Sequence, residues 1–137
     1  MKIKLILAVA LFSTASIFAQ KVQVAKADKK YDKFAYIDAI EIYERVANKG
    51  YESADVFQKL GNAYYFNAEL DKAAQWYGKL MDLGQPVEPE YYFRYSQTLK
   101  SIGEYTKANE MLAKFNESKG DDSRAQKYEA TKNYLEI

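Results

Sequence analysis

Three stretches of the chain repeat one order of large apolar, small and polar positions: YIDAIEIYERV from Tyr36, LDKAAQWYGKL from Leu70 and YTKANEMLAKF from Tyr105. In each, a large apolar residue is followed three positions on by alanine (Ala39, Ala73, Ala108). Tyr43, Tyr77 or Leu112 comes four later, and Val46, Leu80 or Phe115 three beyond that. Spacings of three and four place such residues on one face of an α-helix. The alanines stand 34 and 35 residues apart. Gly50, Gly84 and Gly120 follow the three apolar series, where a left-handed C-cap is expected. Pro86 and Pro89 lie just past the second stop, as helix breakers do.

A partner helix is predicted before each stretch. Phe57, Leu60, Gly61 and Tyr64 share one helical face in the middle unit; Tyr92, Tyr95, Ser96 and Leu99 match them in the third, and Val24, Ala27 and Tyr31 in the first. Turns at Asn67–Glu69 and Ile102–Glu104 join the helices of the second and third pairs. Two amphipathic helices per period of about 34 residues predict an all-α solenoid. Gly61 is costly inside such a helix, by about 1 kcal/mol relative to alanine. That cost is repaid if Gly61 and its counterparts Ala27, Ala39, Ala73, Ser96 and Ala108 are where paired helices cross closely, since a larger side chain there would push the backbones apart. Beyond the third pair, Asp121 to Ser123 read as capping residues, and Ala125, Tyr128, Thr131 and Leu135 form a stripe. A helix over 123–137 is expected, as a terminal cap or the start of a further unit. The apolar pattern reaches Ile137 without a stop signal, as it would in the N-terminal piece of a longer protein.

The middle unit resembles a tetratricopeptide (TPR) repeat. Phe57 stands where that family usually has Trp, Leu60-Gly61 matches its Leu-Gly pair and Tyr64 its first-helix Tyr. Ala73 and Tyr77 match the small and aromatic positions of its second helix, and Pro86 falls within one residue of its closing Pro. The third unit carries Ser96 for the Gly, and the first has Lys26-Ala27 where Leu-Gly would stand. The resemblance covers 20–122, as repeats of about 20–53, 54–88 and 89–122. It implies a right-handed α-solenoid of about three helix–turn–helix repeats plus a C-terminal capping helix. It also implies a concave groove, lined by the first helices, that holds a peptide or another protein. Carried over by position, the groove residues are Asp28 and Tyr31, then Gln58, Asn62 and Tyr65, then Phe93, Gln97 and Lys100. Asn62, Tyr65, Phe93 and Gln97 would form its centre, with side chains off the helix-pairing stripe. Some TPR domains clamp a terminal carboxylate with a Lys four residues before an Asn; here Gln58 precedes Asn62, so that clamp is absent.

The N-terminus changes the setting. MKIKLILAVALFSTASIFAQ has two lysines, an apolar run and Ala19 at its end, the layout of a signal peptide over 1–19 with cleavage before Gln20. The run is short for a membrane span of about 20 residues, so the mature chain is not expected to span one. With 20 basic and 19 acidic residues the chain is near neutral, and slightly negative once Lys2 and Lys4 leave. Such a balance offers no bulk attraction for nucleic acid. There is no cysteine and no histidine. Disulfides, a thiol nucleophile, a lipid-bearing cysteine, the usual general base and the commonest metal ligand are all missing. Glu88, Glu90, Asp121 and Asp122 fall at turns and helix starts and read as caps rather than as an acid/base pair. Of 13 tyrosines, those at 43, 64, 77 and 95 fall on packing positions. No enzyme, cofactor or metal is expected.

The expectation is therefore an exported protein–protein interaction scaffold, periplasmic or associated with the outer membrane, that takes a partner protein or peptide of the cell envelope in its groove. The alternative is a structural arm of a larger OmpA-like, peptidoglycan-anchored outer-membrane protein associated with type IX secretion, which the chain resembles in architecture and style.

Overall fold

The computed structural model describes the backbone of residues 2–119 and the side chains of 15–119. The helix expected over 123–137 and the stop at Gly120 lie outside the described residues. Six helices follow one another, α1 (Lys2–Tyr31), α2 (Tyr36–Asn48), α3 (Ala54–Phe66), α4 (Leu70–Asp82), α5 (Pro89–Ser101) and α6 (Tyr105–Ser118), with no strand among the described residues. The fold is all-α, built of helix pairs at the period of the sequence repeat. The turns fall where expected, between α3 and α4 and between α5 and α6. Helix α1 runs without a break through the expected cleavage point after Ala19. No helix is long and apolar enough to cross a membrane, among the described residues.

The chain divides between Val56 and Phe57 into two units. In the first, α2 turns Ala39, Ile40, Tyr43 and Val46 inward, the stripe read from its spacing. Ala27 is fully buried on α1, and the Tyr31 ring meets those of Tyr36 and Tyr43 edge-on at centroid distances of 5.4 and 6.5 Å. In the second unit α3 buries Phe57, Leu60, Ala63 and Tyr64, and α4 buries Ala73, Ala74, Trp76, Tyr77 and Leu80. Helix α5 packs on both α4 and α6, so its buried set is broad, from Pro89 and Tyr91 through Tyr95, Ser96, Thr98 and Leu99. Phe93 joins Phe115 of α6 at 5.4 Å, with Tyr92 and Leu112 beside them.

All six small residues singled out from the sequence, Ala27, Ala39, Gly61, Ala73, Ser96 and Ala108, are buried. Gly61 has the sharpest reason. A β-carbon there would run into the Tyr77 ring of α4, closer than atoms can approach. Gly78, which drew no notice in the sequence, is a milder case against α5, where a β-carbon would stand a tight 3.1 Å from the Tyr95 hydroxyl.

Three turns share one backbone solution. Phe34 and Ala68 at φ 60° and Gly103 at φ 85° occupy the left-handed region at equivalent places in the three pairs. Each donates its N–H three residues back (Tyr31, Tyr65, Lys100), and the next residue donates five back (Lys30, Tyr64, Leu99), the two bonds of a Schellman motif. Of the carboxylates expected as caps, Glu88 is the N-cap of α5 but makes no capping bond, and Asp121 and Asp122 lie outside the described residues; Glu69 and Glu104, the N-caps of α4 and α6, make no such bond either. Their carboxylates sit near helix N-termini, where the dipole favours negative charge without a cap geometry.

Replacing Gly61 with alanine tests the crossing, because helix propensity and packing then oppose each other. Propensity alone would stabilise by about 1 kcal/mol, whereas forcing a methyl against the Tyr77 ring costs about 1–3 kcal/mol. Thermal denaturation of Gly61→Ala is expected to show a lower melting temperature than wild type. An unchanged or raised value would mean that the crossing is loose.

Candidate functional site

Two of the expected groove positions are tied inward by the same bond. The Tyr43 hydroxyl donates to Asp28 Oδ1 at 2.6 Å in the first pair, and the Tyr77 hydroxyl donates to Asn62 Oδ1 at 2.8 Å in the second. Asp28, Asn62 and Gln97 are equivalent in the repeat, as are Tyr43, Tyr77 and Leu112. The third pair therefore has leucine where the others have the hydroxyl, and Gln97 has no such bond. Gln97 is half-buried and its amide has no protein partner among the described residues.

Asn62 is tied twice. Arg94 of α5 donates to the same Oδ1 at 2.7 Å and pairs with Glu90 one turn back at 3.3 Å. Because a guanidinium can only donate, the atom it meets must be the amide oxygen. The Arg94 head also lies 5.1 Å from the Phe66 ring centre and 5.9 Å from that of Tyr65, within reach of cation–π attraction. Its side chain is only 14% exposed. Arg94 is thus a brace from α5 to the end of α3, and the sequence reading missed it. The Glu90–Arg94 spacing of four was the available signal.

These contacts correct two expectations. Asn62 and Phe93 were to face outward at the groove centre, yet Asn62 is 6% exposed and Phe93 3%. Asn62 is drawn in because two donors converge on its oxygen. Phe93 is drawn in because α5 is covered by α6, so a position that is half-buried on α3 (Gln58) meets Phe115 on α5. Asp28 and Tyr31 are likewise engaged within their own unit, by Tyr43 and by the Tyr36 and Tyr43 rings.

The remaining positions behave differently. Tyr65, Gln97 and Lys100 line one open hollow of about 500 Å³, together with Ala68, Leu70 and Ser101. Gln58 is half-buried on α3 and does not line it. The Lys100 ammonium is exposed and has no ion pair among the described residues. Two carboxylates are committed elsewhere: Glu90 to Arg94, and Glu69 to Lys72 at 2.6 Å and to Asn67 at 2.9 Å. The Lys72 and Asn67 bonds hold the Glu69 carboxyl below its ordinary range. The hollow therefore offers a cation, an amide, a phenol and a small apolar wall, suited to holding an extended chain and lacking a nucleophile–base pair. No group of acidic residues could hold a metal ion, among the described residues.

No protein-family model matches the chain, and no curated protein does. Solved structures do. The Yersinia enterocolitica type III secretion translocator chaperone SycD is 19% identical with a TM-score of 0.63, over 92% of this chain and 93% of that one. A second SycD structure, an alternative dimer, is 19% identical with a TM-score of 0.61 over 82% and 84%. PcrH, solved in complex with the chaperone binding region of PopB, is 18% identical with a TM-score of 0.61 over 85% and 94%. At such identities the likeness establishes the helical-repeat fold.

The inward ties and the outward set should separate in stability measurements. Asn62→Ala strands the Tyr77 hydroxyl and removes a partner from Arg94, at an expected cost of about 1–3 kcal/mol. Gln97→Ala, equivalent in the repeat, is expected to change stability by less than about 0.5 kcal/mol. Urea unfolding of the two variants checks this, and equal losses would refute the distinction.

The first tie has a pH signature. Burial, and secondly the bond to Asp28, raise the Tyr43 hydroxyl far above the ordinary tyrosine range. A folded-state value above the unfolded one means stability that is intact below the unfolded pKa and falls as pH rises past it. The loss should therefore begin at about pH 10, where unfolded tyrosine ionises. Tyr43→Phe should flatten this alkaline limb relative to wild type in melts taken between neutral and strongly alkaline pH. A limb of unchanged slope would show that Tyr43 does not contribute to it.

Proposed function

We propose that the chain is an exported TPR-like interaction scaffold of the periplasm or outer membrane, and that it binds an extended segment of a partner protein in the hollow between α3 and α5. The observation that carries this is the division of polar groups. Asp28, Asn62 and Arg94 are satisfied within the fold, while Tyr65, Gln97 and Lys100 converge on open space with bonding capacity to spare. A folded protein gains little from gathering unspent polar groups around an apolar wall of Ala68 and Leu70 unless something occupies it. The structure of PcrH with a region of PopB supports a protein partner, since it is a case of this fold holding part of another chain. Export rests on the charged and apolar leader over 1–19.

The test is a pull-down from envelope extract with wild type, a Tyr65→Ala, Gln97→Ala, Lys100→Ala triple variant, and a control carrying Gln75→Ala and Asn109→Ala, two exposed positions away from the hollow. The triple variant should lose partners and keep its melting temperature within a few degrees, while the control keeps both. Partners retained by the triple variant would exclude the hollow.

A further inference from the structure

The repeat geometry goes further and gives the chemistry of the segment that fits. We infer that the hollow selects an internal acidic residue of an extended peptide, with Lys100 taking its side-chain carboxylate and Gln97 bonding the adjacent peptide unit; this rests on the binding role proposed for the same hollow.

Charge is the first reason. Among the described residues Lys100 is the one charged residue lining the hollow, and no carboxylate lines it. Glu69, next to Ala68 and Leu70 in the chain, is engaged by Lys72 and Glu90 by Arg94, while Asp71 and Glu104 line a separate hollow that also holds Lys107. An approaching carboxylate meets attraction from Lys100 without a like charge on the wall, and a lysine or arginine meets repulsion.

The second reason is the missing hydroxyl of the third pair. Where Tyr43 and Tyr77 engage Asp28 and Asn62, Leu112 leaves Gln97 with both its donor and its acceptor. A carboxamide presents the same two functions as a peptide unit, so it can accept from an N–H and donate to a C=O of an extended chain. Residues two apart on an extended chain lie about 6.6 Å from one another on the same side. A carboxylate at Lys100 thus leaves the second residue along to rest on Ala68 and Leu70, which favours a small aliphatic side chain there.

A terminal carboxylate is the less suitable source. It needs several donors at one point, and the asparagine that would help supply them, Asn62, is occupied on its oxygen by Tyr77 and Arg94 and is buried. The site as built has one free cation and one free amide among the described residues.

Dye-labelled synthetic peptides test this against the full chain by fluorescence anisotropy at low salt. One peptide repeats Glu-Ser-Val-Ser, so that valine stands two residues from each glutamate, and is blocked at both ends; a second has glutamine for glutamate; a third is the glutamine peptide with a free C-terminus. The blocked glutamate peptide is expected to bind about three- to fivefold tighter than its glutamine counterpart, the range of a solvent-exposed ion pair. Lys100→Glu should weaken it by about tenfold or more, because repulsion replaces attraction, and should tighten the blocked peptide that has lysine for glutamate. Equal binding of the glutamate and glutamine peptides, or binding indifferent to Lys100→Glu, overturns the inference. A preference for the free C-terminus over the blocked glutamate peptide overturns it too. Loss of envelope partners on the triple substitution, with no preference for glutamate, would overturn acidic selection and leave the hollow as the binding site. Retention of those partners by the triple variant would remove both.

Discussion

In the second unit α3 and α4 cross where the Tyr77 ring occupies the space that a side chain at Gly61 would need. With any side chain at Gly61 the ring could not reach this position, and the hydroxyl at its far edge would not reach Asn62. From Asn62 the contacts pass to Arg94 on α5 and on to Glu90, with the Arg94 head set against Tyr65 and Phe66. One glycine thus positions a chain of polar contacts that spans three helices. The helix propensity lost at Gly61 is recovered in contacts made several residues away, which is why the cost is tolerated at this place.

The same economy explains where polar groups end up. Burying a hydroxyl or a guanidinium without partners is expensive, so the fold satisfies Tyr77, Asn62 and Arg94 with one another, and Tyr43 with Asp28. No buried side-chain polar atom lacks a partner among the described residues. Gln97 and Lys100 escape this requirement because they stay partly or fully in contact with water. A solvated group can exchange water for a ligand at small cost, whereas a group already braced inside would have to break its own bonds first. Groove positions that share a place in the repeat therefore do not share a role.

How far the chain can be read from its residues follows from this. Helix pairs, turns and packing positions were legible because they depend on period and size: Ala39, Ala73 and Ala108 announce themselves by spacing, and Gly61 by its local cost. The positions assigned to the groove come together only in part. Tyr65, Gln97 and Lys100 gather at one hollow as the repeat register implies, but Asn62 and Phe93 face inward. Their fate depends on which helix covers theirs, a long-range property. Asn62 turns inward because α5 brings Arg94 across, and Phe93 because α6 brings Phe115. Register along one helix carries no record of either neighbour. The Leu112 substitution was visible in the first alignment of the repeats, but its meaning required knowing that Tyr43 and Tyr77 spend their hydroxyls on Asp28 and Asn62.

The turns show the opposite relation between residue and geometry. Gly103 suits a left-handed position, while Phe34 and Ala68 pay to occupy it, about 1–2 kcal/mol for a residue with a β-carbon. All three nonetheless close the same pair of backbone bonds. A turn conformation held by residues as different as phenylalanine, alanine and glycine is imposed from outside the turn, by helices whose pairing is fixed at their crossings. Packing of the small residues sets where each helix pair begins and ends, the turn accepts the resulting strain, and the first-helix side chains are then presented in constant register. Within that register the third pair carries leucine at 112 where the others carry tyrosine, and the Gln97 amide has no hydroxyl from the second helix to bond.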